Sequence, residues 1–227
     1  MKTKITLIVL LQVGLIMGQS QDLENYNHLT NTNSIKTFAN YDMSIKGSPY
    51  IQDDYERGTI SNFKDDILSI KYNGFSDHME VLRNGKVQYF LPSKAYPFEV
   101  QLLGSAKLYK AFQFQKGREL TYGFFRLLTI NQKSNLLIRE EVGKTEAVKP
   151  KTGYGEFTPA KFKRKDDAFY VNFSGNDIAQ EVPRRKKDFL NLFGASAKNI
   201  ETYIKKEKLN IKKERDLLRI LTYYNQL

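Results

Sequence analysis

Apolar and polar positions alternate along most of the chain before the spacing changes near its end. Leu68, Ile70 and Tyr72 alternate with Ser69 and Lys71, and Val87, Tyr89 and Leu91 with Gln88 and Phe90. Phe112 and Phe114 alternate with Gln113 and Gln115, and Phe169, Val171 and Phe173 with Tyr170 and Asn172. A period of two over short runs predicts strands with one buried face. Asn84-Gly85 separates "MEVLR" from "KVQYFL", and both residues tolerate the positive φ of a type I′ hairpin turn. Asn73-Gly74 predicts a second turn or a bulge. Phe124–Ile130 and Leu136–Val142, joined by "NQKSN", predict another hairpin. The Pro- and Gly-bearing stretch 149–159 predicts a surface loop. The spacing suggests roughly eight to ten strands.

After Pro183 the period becomes helical. Phe189, Leu190 and Phe193 share one helix face, with Gly194 placed to end it. Ile200, Tyr203 and Ile204 follow Ser196, a candidate N-cap, and Leu217, Ile220, Leu221 and Tyr224 follow Asn210. The expected fold is therefore mainly β: an antiparallel meander sheet or partly closed barrel, followed by three short amphipathic helices.

The first twenty residues stand outside that fold. Lys2 and Lys4 precede an apolar run from Ile5 to Met17, and Gly18 and Ser20 offer small residues ahead of Gln21. Charge, apolar stretch and small-residue site in that order predict a secretory signal peptide. The expected organisation is a signal peptide over 1–20, a polar leader over 21–43, an antiparallel β domain over 44–181 and a basic helical element over 182–227. The chain has no cysteine, so neither a lipid attachment site of the Cys type nor a disulfide framework is open to it.

Charge changes the picture more than composition does. Residues 21–150 carry 17 Lys+Arg against 15 Asp+Glu, whereas 184–227 carry 12 against 5. A cationic terminus on a near-neutral body points to nucleic acid, acidic lipid or an acidic polymer as partner. Export disfavours nucleic acid, as does the absence of aromatics interleaved with the cations. An acidic envelope protein, or an anionic envelope polymer or lipid surface, is the expected partner. In "VPRRKKDFLNLF", Arg184, Arg185, Lys186 and Lys187 abut the start of an apolar helix face. Cations in a first helical turn oppose the macrodipole, at about 0.3–1 kcal/mol each. An anionic contact would explain the arrangement, and these four residues are the candidate partner-binding site.

Catalytic signatures are sparse. Of the two histidines, His28 lies in the leader, and His78 follows Asp77 on an expected strand, where neighbours point to opposite faces. His78 is therefore expected to be a surface or hydrogen-bonded residue rather than a catalytic one. No HExxH or CxxC spacing, G-x-S-x-G elbow or glycine-rich phosphate loop occurs, and no cofactor or metal is expected. The pairs Asp53-Asp54, Asp65-Asp66, Glu140-Glu141 and Asp166-Asp167 are expected to be solvated loop acids.

The run "GSPY" (Gly47–Tyr50), Gly58, "KYN" leading into "SDHMEV", the hairpin "NGK" and the ending "YIKKEKLNIKKERDLLRILTYYN" resemble small exported proteins of Bacteroidota-type Gram-negative bacteria. The resemblance spans the chain from about Gly47 onward. It implies an envelope location, periplasmic or at the outer membrane, and carries no catalytic or binding role with it. The expected function is that of a non-enzymatic envelope interaction or accessory protein. The alternatives are a soluble carrier enclosing a lipid or small apolar ligand in its β body, and an envelope glycan hydrolase built from acids on distant strands. An integral outer-membrane barrel is disfavoured by charged helices at the end and by the lack of long lipid-facing strands.

Overall fold

The computed structural model describes residues 45–61, 66–94, 98–130, 132–148 and 157–227. The expected signal segment, the polar leader and most of the 149–159 loop lie outside the described residues. The alternating stretches form strands, although in the Val87–Leu91 stretch the buried residue is Phe90, while Val87 and Leu91 are exposed. β1 (Glu56–Ile60), β2 (Leu68–Asn73), β3 (His78–Arg83) and β4 (Lys86–Phe90) make an antiparallel meander. The turn from β3 to β4 is the Asn84-Gly85 turn, with φ of +50° and +74°. Those paired positive values are what a type I′ turn needs, so Asn and Gly stand where most residues would be strained.

β5 (Glu99–Leu102) turns back to pair with β1 rather than with β4. The close approach depends on Gly58, where an added Cβ would lie 2.6 Å from the Gln101 carbonyl oxygen. β6 (Lys107–Lys116) and β7 (Glu119–Leu127) then form the longest hairpin, continued by β8 (Ser134–Arg139). β9 (Val142–Thr145) and β10 (Lys161–Arg164) make a separate two-stranded ribbon, and β11 (Ala168–Phe173) and β12 (Ile178–Glu181) return to the main sheet.

The main sheet has ten strands in the order β12-β11-β8-β7-β6-β5-β1-β2-β3-β4. It partly closes on itself. β6 is ten residues long, and its first part pairs with β5. Farther along, Gln113 and Phe114 pair in parallel with Ile178 and Ala179 of β12. One long strand therefore serves both an open sheet and a partly closed five-stranded barrel. Phe114, Phe125, Leu137, Tyr170 and Ala179 fill the barrel, with the Phe125 ring 5.3 Å from Phe114 and 4.9 Å from Tyr170. Filling by side chains is what so narrow a closure allows. A further set of fully buried residues, including Tyr72, Tyr109 and Phe124, packs the open part, with Tyr72 and Tyr109 5.1 Å apart.

Three helices follow: α1 (Lys186–Asn191), α2 (Ala197–Lys206) and α3 (Glu214–Gln226). Their apolar stripes cover Leu136 and Val171, on the sheet face opposite Leu137 and Tyr170. Gly194 takes φ of +50° after α1. Ser196 precedes α2 but makes no side-chain cap, because a 3₁₀ turn over Gly194–Ser196 already winds the chain into the helix. Asn210 stands earlier than a cap, accepting from the Lys212 N–H in the turn before α3. Tyr224 packs on Phe193 and Phe173, while Tyr223 stacks on Tyr203 at 4.2 Å. Among the described residues, no helix is long and apolar enough to cross a membrane.

Candidate functional site

The four expected partner-binding cations come together at the entry to α1. Arg184 and Arg185 lie just before the helix, and Lys186 and Lys187 are its first two residues. Asp188 is the acid of that turn, and no side chain caps it. Burial decides the matter. Phe189 and Phe193 are enclosed at 0% and 4% exposure, worth about 1.5–3 kcal/mol each, which exceeds the macrodipole penalty of each cation. Arg184, Arg185 and Lys187 are exposed and, among the described residues, make no ion pair; Lys186 stands 3.9 Å from Glu201. Glu201 is itself engaged by Lys205 at 2.7 Å, and Glu207 by Arg219 at 2.7 Å. Glu201 and Glu207 are thus used within the helical element, and the four cations outnumber Asp188 at the start of α1.

A second polar concentration lies at the end of β8. Arg139 is buried over the barrel rings, its guanidinium carbon 4.9 Å from the Phe114 centroid. It donates from Nη1 to the Phe124 carbonyl and from Nη2 to Asp77 Oδ2, both at 2.7 Å. Asp77, at φ +57° in the β2–β3 turn, also accepts from the Tyr72 hydroxyl at 2.8 Å. One carboxylate thus ties the turn of the open sheet to the barrel.

Glu140 corrects an expectation. It was expected to be a solvated loop acid, yet its side chain is 3% exposed and three cations converge on it. Lys107 Nζ lies 3.0 Å from Oε1, Arg164 Nη2 3.1 Å and Arg126 Nε 3.8 Å, while the Tyr109 hydroxyl donates to Oε2. Burial alone would push this carboxyl up; the Tyr109 hydrogen bond and the Lys107 charge outweigh it and hold it below the usual carboxylate range. Its neighbour Glu141 lies 3.4 Å from Arg139 Nε and 3.1 Å from Lys165 Nζ. Here too burial opposes ionisation and is outweighed, first by the Arg139 charge. Of the other acid pairs, where described, Asp53, Asp54 and Asp166 are exposed as expected, while Asp167 holds Arg164 at 2.5 Å and the half-buried Asp66 pairs with Arg83 at 2.8 Å.

His78 is enclosed at 0% exposure. Its Nε2 lies 3.1 Å from Glu80 Oε1 and its Nδ1 3.0 Å from Ser76 Oγ. Glu80 also accepts from the Tyr50 and Tyr55 hydroxyls at 3.0 and 3.3 Å. Burial opposes its ionisation, but the His78 and Tyr50 hydrogen bonds outweigh that and lower its pKa. An ionised Glu80 only accepts, so Nε2 carries the hydrogen between them. The Ser–His–Glu order is that of a nucleophile relay. Here, however, His78 and Glu80 are buried and clamp the start of β3, while Ser76 is half-buried. Asp77 takes no part in it, having turned to Arg139.

Residue spacing gave no notice of Arg139, Asp77 or the cations around Glu140, which topology assembles from β6, β7 and β10. One signal was present: "LLIREE" (Leu136–Glu141) continues a strand apolar on both faces, so polar residues at its end start from buried positions. No protein-family model, curated protein or solved structure matches this chain.

Proposed function

We propose that the protein is an exported, non-enzymatic accessory protein of the cell envelope that docks on an acidic partner through Arg184, Arg185, Lys186 and Lys187. The observation that carries this reading is the exposure of Arg184, Arg185 and Lys187 without an ion pair among the described residues, beside a firmly packed Phe189. A rigid apolar anchor beneath exposed cations suits electrostatic docking, in which rim charges govern on-rate and salt sensitivity. A binding role fits the remaining acids better than a catalytic one, because Glu140 and Glu141 are each held by two or more cations. Export and envelope location rest on the signal-like start of the sequence and on the resemblance described above.

The test is replacement of all four cations by glutamine, with envelope fractionation at low and high salt. Wild-type protein should be retained at low salt and released as screening rises. The variant should unfold no lower than wild type, since it loses only cations that oppose the helix macrodipole, yet appear in the soluble fraction. Retention equal to wild type at every salt concentration would reject the reading.

A further inference from the structure

The barrel interior is filled, but its mouth is not. A cavity of about 840 Å³ opens there, lined by Phe75, Ser76 and Asp77 from the β2–β3 turn. Phe114, Lys116 and Gly117 from the β6–β7 hairpin, with Arg139, Glu141 and Tyr170 from the barrel, complete the central part of its wall. That volume falls within the range of small-molecule sites, about 300–1,000 Å³. Its polar groups are not equally engaged. Asp77 is bound to Arg139 at 2.7 Å, and Glu141 is shared between Arg139 at 3.4 Å and Lys165 at 3.1 Å. Lys144 and Glu146 pair with each other at 3.3 Å.

Two donors have no such use. Tyr170 is only 6% exposed, packs its ring on Phe114 and Phe125, and its hydroxyl has no hydrogen-bond partner among the described residues. Lys116 is exposed on the rim and, though its charge is the least of those lowering Glu141, makes no ion pair among the described residues. The Tyr170 proton is firmly held: burial, and then the Glu181 charge across the β11–β12 pairing, push the phenol up to about 12. It therefore donates throughout the physiological range. With the acceptors neutralised and two donors left over, what the cavity lacks is an acceptor, preferably a charged one. Its apolar side is already present, since Phe75 is 42% exposed and Phe114 closes the floor.

We propose that this cavity binds a small organic oxyanion, a carboxylate or phosphate ester on an apolar body, with the Tyr170 hydroxyl and Lys116 Nζ donating to the oxyanion and Phe75 and Phe114 flanking the body. The site is separate from the cationic start of α1, and it places a ligand at the barrel mouth rather than inside the barrel.

Calorimetric titration of the full chain with benzoate, phenyl phosphate and inorganic phosphate tests it. At least one of the two aromatic anions should bind at about 1 mM or tighter. Tyr170→Phe should weaken that binding about tenfold while leaving the unfolding temperature unchanged, since the hydroxyl has no hydrogen bond to lose. Lys116→Gln, at an exposed position, should weaken it severalfold. The protein with Arg184, Arg185, Lys186 and Lys187 replaced by Gln should bind as wild type does, which separates this site from the docking surface. Three results would overturn the proposal: no binding of either aromatic anion at this level, equal affinity in wild type and Tyr170→Phe, or inorganic phosphate binding as tightly as phenyl phosphate. The relative affinity of benzoate and phenyl phosphate identifies which oxyanion the donors prefer.

Discussion

Glu140 and Glu141 are adjacent and chemically alike, yet their surroundings differ enough to be measured. Glu140 is 3% exposed and faces Lys107, Arg126 and Arg164; Glu141 is 30% exposed and shares Arg139 and Lys165. Glu140→Gln keeps the volume but leaves the half-buried Lys107 and Arg126 and the exposed Arg164 facing a neutral amide. Breaking such a group is expected to cost about 3 kcal/mol, a fall of about 6–12 °C in unfolding temperature for a chain of this size. Glu141→Gln, closer to solvent, should cost under about 1 kcal/mol. Thermal unfolding of the two variants side by side checks the contrast, and equal losses would refute it. The sequence could not distinguish these acids. Adjacent carboxylates usually mark turns, and nothing local to residue 140 reports that β6, β7 and β10 each deliver a cation to it.

At the scale of elements, legibility follows length and repetition. The helices at the end were readable because each presents several apolar residues at helical spacing, and the Asn84-Gly85 hairpin because its turn needs two residues that accept positive φ. β5, β9, β10 and β12 are only four residues each, too short for alternation to be distinguished from chance. The parallel pairing of β12 with β6 was not readable at all, since it joins residues over sixty positions apart through backbone bonds that carry no side-chain signature. How α3 is fixed to the sheet was hidden for a similar reason. Asn225 Oδ1 accepts from the Ser134 N–H at 2.7 Å and hydroxyl at 2.8 Å, and its Nδ2 donates to the Ser134 carbonyl at 3.0 Å. Ser134 is fully buried. Asn225→Ala should therefore leave its backbone groups unpaired at a cost of about 2 kcal/mol, read as a lower urea midpoint. Faster amide exchange at Ser134 should accompany it, and unchanged exchange there would show that the link contributes nothing.

For the whole molecule, the placement of ionisable groups defines a window of pH in which the fold is stable. Glu80, Glu140 and Glu141 are all held below their ordinary pKa, from β3 to the end of β8. A depressed carboxyl contributes stability that is complete above the unfolded value of about 4.3 and is lost as pH falls through the folded value. Protonation also raises a net charge that is already +11 at neutrality, adding repulsion concentrated in the helical element. The opposite edge comes from the phenols. Tyr72, Tyr109 and Tyr170 are pushed up, in each case first by burial, so the unfolded chain gives up these protons near pH 10 while the folded chain keeps them. A raised phenol contributes fully below that unfolded value and less and less as pH climbs above it. The expected profile of urea midpoint against pH is thus a plateau from about 5 to about 9.5, falling on both sides. Glu140→Gln should lower the plateau and make the acid limb shallower, because one of the depressed carboxyls no longer titrates; Tyr170→Phe should leave the plateau in place and soften only the alkaline limb. An acid limb of equal steepness in wild type and Glu140→Gln would mean that acid unfolding is driven by overall charge and not by the buried carboxylate to which Lys107, Arg126 and Arg164 converge.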